Sequence, residues 1–315
     1  MKIVIDGPVI EGEGDRVRQA SPADDIVFTD TYDEFTKAAA DAEVVCAGKF
    51  DVAYLEAAPS LKWMQNGSAG VDWMPLDALR ERGIILTNAA GSHAIPVADT
   101  ALALLMAVAR GMNWTFRNQI AHVWQVPPPE VFEFDGKTAG VIAMGAIGIE
   151  VAQRLKGLGL RVIGVDVATS IQTDLVDEIR HVNELPWLLS SSDIVVCAAP
   201  LTSATRHLMN AETFSHMRDN TIFINVSRGG LVDSQALIDV LASGRFFGVG
   251  VDVLEEEPLS RDNQLWNCPK LVITPHIGGY SPFRARRLAD LFIENLNHYR
   301  AGEPLRNTVD LEAGY

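Results

Sequence analysis

GVIAMGAIG, residues 140–148, decides the fold class of this chain. It ends an apolar run and precedes a predicted helix at 149–156, so it is predicted to join a β-strand to an α-helix. Such a loop can hold a dinucleotide pyrophosphate when glycines stand at G-x-G-x-x-G. The backbone must turn tightly, approach the phosphates and let the helix pack closely on the strand. Gly145 and Gly148 supply the second and third glycines.

Ala143 stands where the first glycine of this pattern would be. A methyl group is tolerated there only if the backbone φ angle is negative, so Ala143 weakens the match to the glycine pattern. Asp166 supports the nucleotide interpretation, because it ends the next predicted strand, 18 positions after Gly148. A carboxylate there can accept hydrogen bonds from the ribose hydroxyls and repel a 2′-phosphate, which favours NAD over NADP. The alternative is a plain strand–turn–helix with a capping aspartate.

Short apolar runs alternate with amphipathic stretches along the whole chain, a pattern typical of parallel βαβ units. In the second half, runs that predict the six strands of a complete dinucleotide-binding sheet lie at 140–143, 161–165, 194–198, 221–226, 247–251 and 271–274. In the first half, similar runs lie at 2–5, 26–28, 44–47, 63–65 and 84–86.

The length of 315 residues fits two domains of ordinary size. A long apolar helix is predicted at 95–111, and a loop with little regular structure, including Pro127-Pro128-Pro129, follows it. The helix predicted at 283–299 is too short for a domain and is expected to pack back on the first one. The predicted fold class is α/β with two doubly wound parallel-sheet domains. These are a discontinuous flavodoxin-like substrate domain, residues 1–94 and 281–315, and a Rossmann NAD-binding domain, residues 95–280.

Composition bounds the partners of the chain. A net charge of −15 argues against nucleic-acid binding, which needs a basic face. The longest helical apolar run, 101–109, is far shorter than the roughly 20 residues that span a bilayer, so no membrane partner is expected. The N-terminus shows no signal-peptide core, and the three cysteines lack metal-ligand spacing. We therefore expect a cytoplasmic protein with reduced thiols and no metal.

Three ionisable residues each follow an apolar run in the second half: Arg228, Glu257 and His276. Ligands bind beyond the carboxyl ends of parallel strands, so these side chains can converge. A guanidinium can hold a carboxylate by two hydrogen bonds. An imidazole with a carboxylate on its far nitrogen is held in one tautomer and kept protonated near neutral pH, which makes a general acid.

Each of these residues also has a structural alternative. The alternative for Arg228 is a surface cation before a Gly-Gly turn. The alternative for Glu257 is one member of a solvated acidic run, Glu255-Glu256-Glu257. His276 is flanked by Pro275 and the Gly278-Gly279 pair, which predict a rigid turn. Pro258 directly follows Glu257 and singles it out from its two acidic neighbours.

The chain resembles the NAD-dependent D-isomer-specific 2-hydroxyacid dehydrogenases from about residue 44 to its end. The resemblance is carried by blocks such as NGSAGVD (66–72), INVSRGGLVD (224–233), VDVLEEEPL (251–259) and LWNCPKLVITPHIGGYSP (265–282). It implies that Arg228, Glu257 and His276 are catalytic, and that the Ala69 and Gly70 amides bind the substrate carboxylate together with Arg228. The cofactor contacts that it implies are Gly145, Ala146, Ile147, Asp166, Pro200, Thr205, Val226, Asp252, His276 and Gly278.

By this resemblance, we expect an NAD-dependent homodimer that interconverts a small 2-oxo acid and a D-2-hydroxy acid. Family members that oxidise formate carry glutamine where Glu257 stands, so that reaction is not expected. Glyoxylate or hydroxypyruvate leads among the expected substrates, and larger branched or aromatic oxo acids remain open. The alternative function is an NAD(H)-sensing, corepressor-like binding protein on the same fold.

Overall fold

The computed structural model describes residues 1–126 and 130–314. They form two compact units, the first made of residues 1–93 and 280–314 and the second of residues 94–126 and 130–279. The triple proline at 127–129, predicted as part of a loop, lies outside the described residues.

The first unit is built on a five-stranded parallel sheet of order β2-β1-β3-β4-β5, the flavodoxin-like order. Its strands are β1 Lys2–Asp6, β2 Asp25–Thr29, β3 Val44–Ala47, β4 Trp63–Asn66 and β5 Ile85–Thr87. Its helices are α1 Gly14–Ala20, α2 Tyr32–Ala39, α3 Val52–Ala57, α4 Leu76–Glu81 and, from the C-terminal segment, α11 Arg284–Ala301.

The core of the first unit includes α11. Leu288, Phe292 and Leu296 on this helix are fully buried in one cluster with Ile3 and Trp63 of the sheet. The rings of Trp63 and Phe292 lie 5.4 Å apart between centroids. The apolar face of α11 thus completes one side of the sheet, because parallel strands need cover on both faces.

The second unit is built on a seven-stranded parallel sheet of order β12-β11-β10-β9-β6-β7-β8. Its strands are β6 Thr138–Ile142, β7 Arg161–Asp166, β8 Glu178–His181, β9 Ile194–Cys197, β10 Ile222–Asn225, β11 Gly248–Val251 and β12 Leu271–Ile273. Its helices are α5 Ala94–Ala109, α6 Met112–Ile120, α7 Ala146–Gly157, α8 Leu185–Ser191, α9 Ala211–His216 and α10 Ser234–Ala242. The predicted α/β class with two doubly wound parallel sheets is confirmed.

The expected number of strands in the second sheet was wrong by one. β8 has the sequence EIRH, is half-exposed, and lies at the sheet edge beside β7. An edge strand buries little, so its residues need not form the apolar run by which the other strands were predicted.

Helix α5 packs closely on β11 through two glycines of that strand. A Cβ on Gly248 would lie 2.6 Å from Val108, and one on Gly250 would lie 2.9 Å from Leu104. Within residues 1–126 and 130–314, no single helix is long and apolar enough to cross a membrane. Helices α5 and α6 meet the length and composition requirement only as a pair bent by 73°.

Candidate active site

The predicted ionisable residues follow three neighbouring strands of the second unit. Arg228 comes after β10, Glu257 after β11 and His276 after β12. Parallel strands end at the same edge of a sheet, so the chain delivers all three to one place.

Glu257 and His276 form a close pair. Glu257 Oε2 lies 2.5 Å from His276 Nδ1, and its other oxygen accepts the Leu254 N–H at 2.9 Å. Both side chains remain half-exposed. Because the bond uses Nδ1, the Nε2 atom at the far side of the ring points away from Glu257. A proton on Nε2 is therefore placed for transfer to an outside group.

Asp252 fixes the turn that carries His276. Its carboxylate accepts hydrogen bonds from Thr274 Oγ1 at 2.6 Å, Ile277 N at 3.0 Å and Gly278 N at 2.8 Å. A Cβ on Gly278 would lie 2.7 Å from this carboxylate, so the turn needs glycine there. From the sequence, Asp252 was predicted only as a cofactor contact. Its position directly after β11, facing the next strand end, was the available signal for this second role.

The loops that carry Arg228 and Glu257 touch through their backbones. A Cβ on Gly229 would lie 1.9 Å from Leu254 C and 2.4 Å from Glu255 N, so only glycine fits between them. The Arg228 carbonyl is held by Asn225 Nδ2 at 3.0 Å. Arg228 and Glu257 therefore lie on loops that meet, and Glu257 is bonded to His276.

The glycine-rich loop meets the geometric needs of a pyrophosphate. Gly145 is the N-cap residue of α7, and a Cβ there would have nothing within 4 Å, so the space above the loop is open. The N–H groups of Ala146 and Ile147 begin the helix and have no intrahelical carbonyl partner. The helix dipole adds positive charge at this end. The loop thus fits an anionic, phosphate-bearing cofactor.

Ala143 has a φ of 72°, so the argument that a methyl group requires a negative φ at this position is wrong. Neighbouring contacts determine this conformation. Ala143 N donates to Val165 O at 2.9 Å, Met144 N donates to Asp166 Oδ2 at 2.7 Å, and a Cβ on Gly148 would lie 2.1 Å from Ala143 O. The turn keeps its left-handed residue, although a methyl group there costs about 1 kcal/mol or more.

Asp166 ends β7 and binds the loop itself. Its Oδ2 accepts Met144 N and its Oδ1 accepts Ala168 N at 2.8 Å. Each carboxylate oxygen can accept two bonds, so acceptor capacity remains for ribose hydroxyls.

The other predicted cofactor residues also follow strand ends of the second unit. Thr205 Oγ1 donates to Pro200 O at 2.6 Å in the loop after β9, and Val226 directly follows β10. Every predicted cofactor residue is the last residue of a strand of this sheet or lies in the segment that follows one: Gly145, Ala146, Ile147, Asp166, Pro200, Thr205, Val226, Asp252, His276 and Gly278.

Ala69 and Gly70 belong to the first unit, in the turn after β4. Asn66 shapes this turn, because its Nδ2 donates to Ser68 O at 2.9 Å and to Gly70 O at 3.0 Å. Two carbonyls of the turn are thereby directed toward Asn66.

Comparison with known proteins shows the family of the chain. The family model described as D-isomer specific 2-hydroxyacid dehydrogenase, NAD binding domain, matches residues 102–278. A D-3-phosphoglycerate dehydrogenase of Archaeoglobus fulgidus is 31% identical over 99% of this chain and 59% of its own length. A glyoxylate reductase of Korarchaeum cryptofilum is 35% identical over 83% of this chain and 80% of its own length.

Among solved structures, a D-isomer specific 2-hydroxyacid dehydrogenase from Xanthobacter autotrophicus, in complex with NADPH and MES, is similar. It has a TM-score of 0.84 and 29% identity, and the match covers 100% of this chain and 99% of that one. The chain spans about half the length of the phosphoglycerate dehydrogenases that it matches. The family model and these relatives show that the chain belongs to the D-isomer specific 2-hydroxyacid dehydrogenase family.

Proposed function

We propose that this protein is an NAD-dependent oxidoreductase that interconverts a small 2-oxo acid and a D-2-hydroxy acid. The observation that carries the proposal is the pair formed by His276 Nδ1 and Glu257 Oε2, 2.5 Å apart, which leaves Nε2 on the side of the ring away from Glu257. It lies in a unit whose glycine-rich loop fits a dinucleotide, so an acid–base group and a cofactor loop share one sheet edge.

In the reductive direction, His276 donates the proton on Nε2 to the oxygen at C2 of the oxo acid. The cofactor, when bound, supplies the hydride that C2 receives. Glu257 accepts the Nδ1 hydrogen, which fixes the ring orientation and stabilises the imidazolium before transfer. Arg228 binds the substrate carboxylate through two parallel N–H groups. In the oxidative direction, neutral His276 takes the hydroxyl proton as a base.

We propose one further contact with the cofactor and one with the substrate. Asp166, at the end of β7, would accept the ribose hydroxyls and disfavour a 2′-phosphate, which selects NAD. The Ala69 and Gly70 N–H groups would bind the substrate carboxylate. Support for them comes from the Asn66 side chain, which engages carbonyls of the same turn and leaves its amides for other acceptors.

The substrate is proposed to be glyoxylate or hydroxypyruvate, and the Korarchaeum relative, a glyoxylate reductase, supports the first of these. The deciding experiment is an initial-rate panel of 2-oxo acids from glyoxylate to branched and aromatic members, each with NADH and with NADPH. Turnover of a small 2-oxo acid with NADH is expected. A preference for NADPH would contradict the role of Asp166. A chain that binds NADH and reduces none of the acids would favour the sensor function.

We also propose that the protein is a homodimer. Support comes from an apolar surface on α6 and the residues after it, where Phe116, Ile120 and Trp124 are 52%, 82% and 96% exposed. A second copy of the chain would remove these side chains from water. Light scattering should give twice the monomer mass of 34.3 kDa. An Ile120→Glu variant should reduce that mass, and a monomeric wild-type protein would contradict the proposal.

A further inference from the structure

A second histidine–glutamate pair lies in the same unit. His207 Nε2 and Glu255 Oε1 are 2.6 Å apart, and both side chains are partly exposed. Glu255 stands two positions before Glu257 in the acidic run. The catalytic proposal assigns neither His207 nor Glu255 a role.

Glu255 also holds the start of α10. Its Oε2 accepts the Ser234 N–H at 3.1 Å and the Ser234 hydroxyl at 2.6 Å. Ser234 is the first residue of α10, so the carboxylate satisfies a helix N–H that has no intrahelical partner. Glu255 therefore links His207 to the segment that begins with Arg228 and ends in α10.

Both backbone polar groups of His207 are hydrogen-bonded. Its N–H donates to Gly230 O at 2.9 Å, and its carbonyl accepts Asn210 Nδ2 at 3.0 Å. It follows Thr205, which closes the loop after β9 by its bond to Pro200 O. Thus His207 joins this proposed cofactor loop to the Gly229-Gly230 turn next to Arg228.

The hydrogen bonds of His207 and Glu255 surround the point where Gly229 contacts the peptide group between Leu254 and Glu255. Leu254 N in turn donates to Glu257. A displacement of the 254–255 peptide would therefore move the Arg228 turn on one side and the Glu257 carboxylate on the other. Interatomic packing this close transmits small shifts, because there is no free space to absorb them.

We propose that His207 and Glu255 are positioning residues that brace the loops of Arg228, Glu257 and Thr205 against one another. The inference rests on the proposed function, since it concerns the geometry of those active-site residues. The ionised Glu255 side chain joins His207 and Ser234 by charge-assisted bonds, which are stronger than neutral ones.

The brace is tested by Glu255→Gln, His207→Asn and their combination. Asparagine tolerates the left-handed φ of 52° at position 207, so the variant removes the imidazole without new backbone strain. We expect KM for the 2-oxo acid to rise about 10-fold in each single variant, with a smaller change in kcat. The double variant should be no worse than Glu255→Gln alone, because that substitution already weakens the one bond that His207→Asn removes.

Glu256→Gln is the matched control, since Glu256 binds Ser260 N and Asn263 Nδ2 and touches neither histidine. It should leave KM unchanged. If KM stays at the wild-type value in the Glu255 and His207 variants while only the yield of folded protein falls, the pair is merely structural and the proposal fails. Effects that multiply in the double variant would also overturn it.

Backbone hydrogen exchange separates this proposal from the proposed function. Amides in the 229–234 segment and at Leu254 should exchange faster in Glu255→Gln and His207→Asn than in the wild type and in Glu256→Gln. This result does not depend on turnover, so it can be obtained even if no 2-oxo acid is reduced. Unchanged exchange in both segments would contradict the brace, whatever the activity panel shows.

Discussion

His276–Glu257 and His207–Glu255 are built from the same groups and differ in the nitrogen that is bound. Both histidines have a left-handed backbone, with φ of 53° and 52°. Both meet a carboxylate of the acidic run at 2.5 or 2.6 Å. In the first pair the carboxylate binds Nδ1, and in the second it binds Nε2.

This difference assigns the two pairs different chemistry. Nε2 is at the tip of the imidazole, so a pair bound through Nδ1 leaves the tip available to a substrate. A pair bound through Nε2 uses the tip for the protein itself. A histidine next to a glutamate therefore does not by itself indicate an acid–base pair, and the proposal for His276 also depends on which ring nitrogen the glutamate binds.

The largest expected effect separates the two histidines. His276→Asn should reduce kcat by about 10²-fold or more, because the general acid is lost. His207→Asn should change kcat much less, since it removes only a positioning bond. Turnover at saturating NADH and 2-oxo acid measures both. Equal losses of kcat in the two variants would abolish the distinction.

Substitution of the two glutamates should also affect different kinetic constants. Glu257→Gln should reduce kcat by about 10-fold or more, because the amide no longer stabilises a charged imidazole. Glu255→Gln should act mainly on KM. Both variants are made within one run of three acids, so Glu256→Gln again serves as the matched control. A kcat loss in Glu255→Gln as large as that in Glu257→Gln would contradict the assignment.

A smaller effect concerns acid stability. Burial raises the pKa of Glu255, but hydrogen bonds from Ser234 and then His207 outweigh it and hold the pKa below its ordinary value. A lowered folded-state pKa adds stability above the unfolded-state pKa, and this stability is lost as the pH falls through the folded-state value.

Glu255→Gln should therefore lower Tm by about 2 °C near pH 7, and this difference should shrink in acid. Calorimetry at a series of pH values between neutrality and the acid range measures it. A difference between wild type and variant that stays constant with pH would show that the charge of Glu255 contributes no stability.

The smallest effect uses a third left-handed residue, Ala143, whose φ is 72°. Unlike the two histidines, its side chain has no hydrogen-bonding group that could offset the backbone cost. Ala143→Gly should relieve strain and raise the free energy of unfolding by about 0.5 kcal/mol, after the added chain entropy of glycine. Denaturant titration measures the change. Glycine at position 207 should instead destabilise the protein, because it removes the bond to Glu255.

The sequence predicted the parts of the molecule whose signals are local. Apolar runs predicted the central strands, and the turn residues around His276 predicted a rigid mount for it. Strand β8 was not predicted, because this partly exposed edge strand of sequence EIRH has no apolar run. The positive φ of Ala143 could not be predicted from the sequence, because it is determined by contacts with Val165, Asp166 and Gly148 and not by the alanine itself.

The division of labour within the acidic run was only partly predictable. Pro258 and the family resemblance singled out Glu257. The partner of Glu255 is His207, 48 positions away, and nothing near either residue in the sequence indicates the contact. Non-local pairs of this kind become visible only when the loops are placed side by side.

The interruption of the first unit by the second has a consequence for synthesis of the chain. Gln65 and Asn295 bond inside the first unit across 230 positions. At translation rates of about 5–20 residues per second, the early strands wait on the order of 10–50 s for helix α11. The second unit is contiguous, so it can finish folding while Trp63 and its neighbours still lack their cover. The nascent first unit is therefore the part of this protein that we expect chaperones to bind.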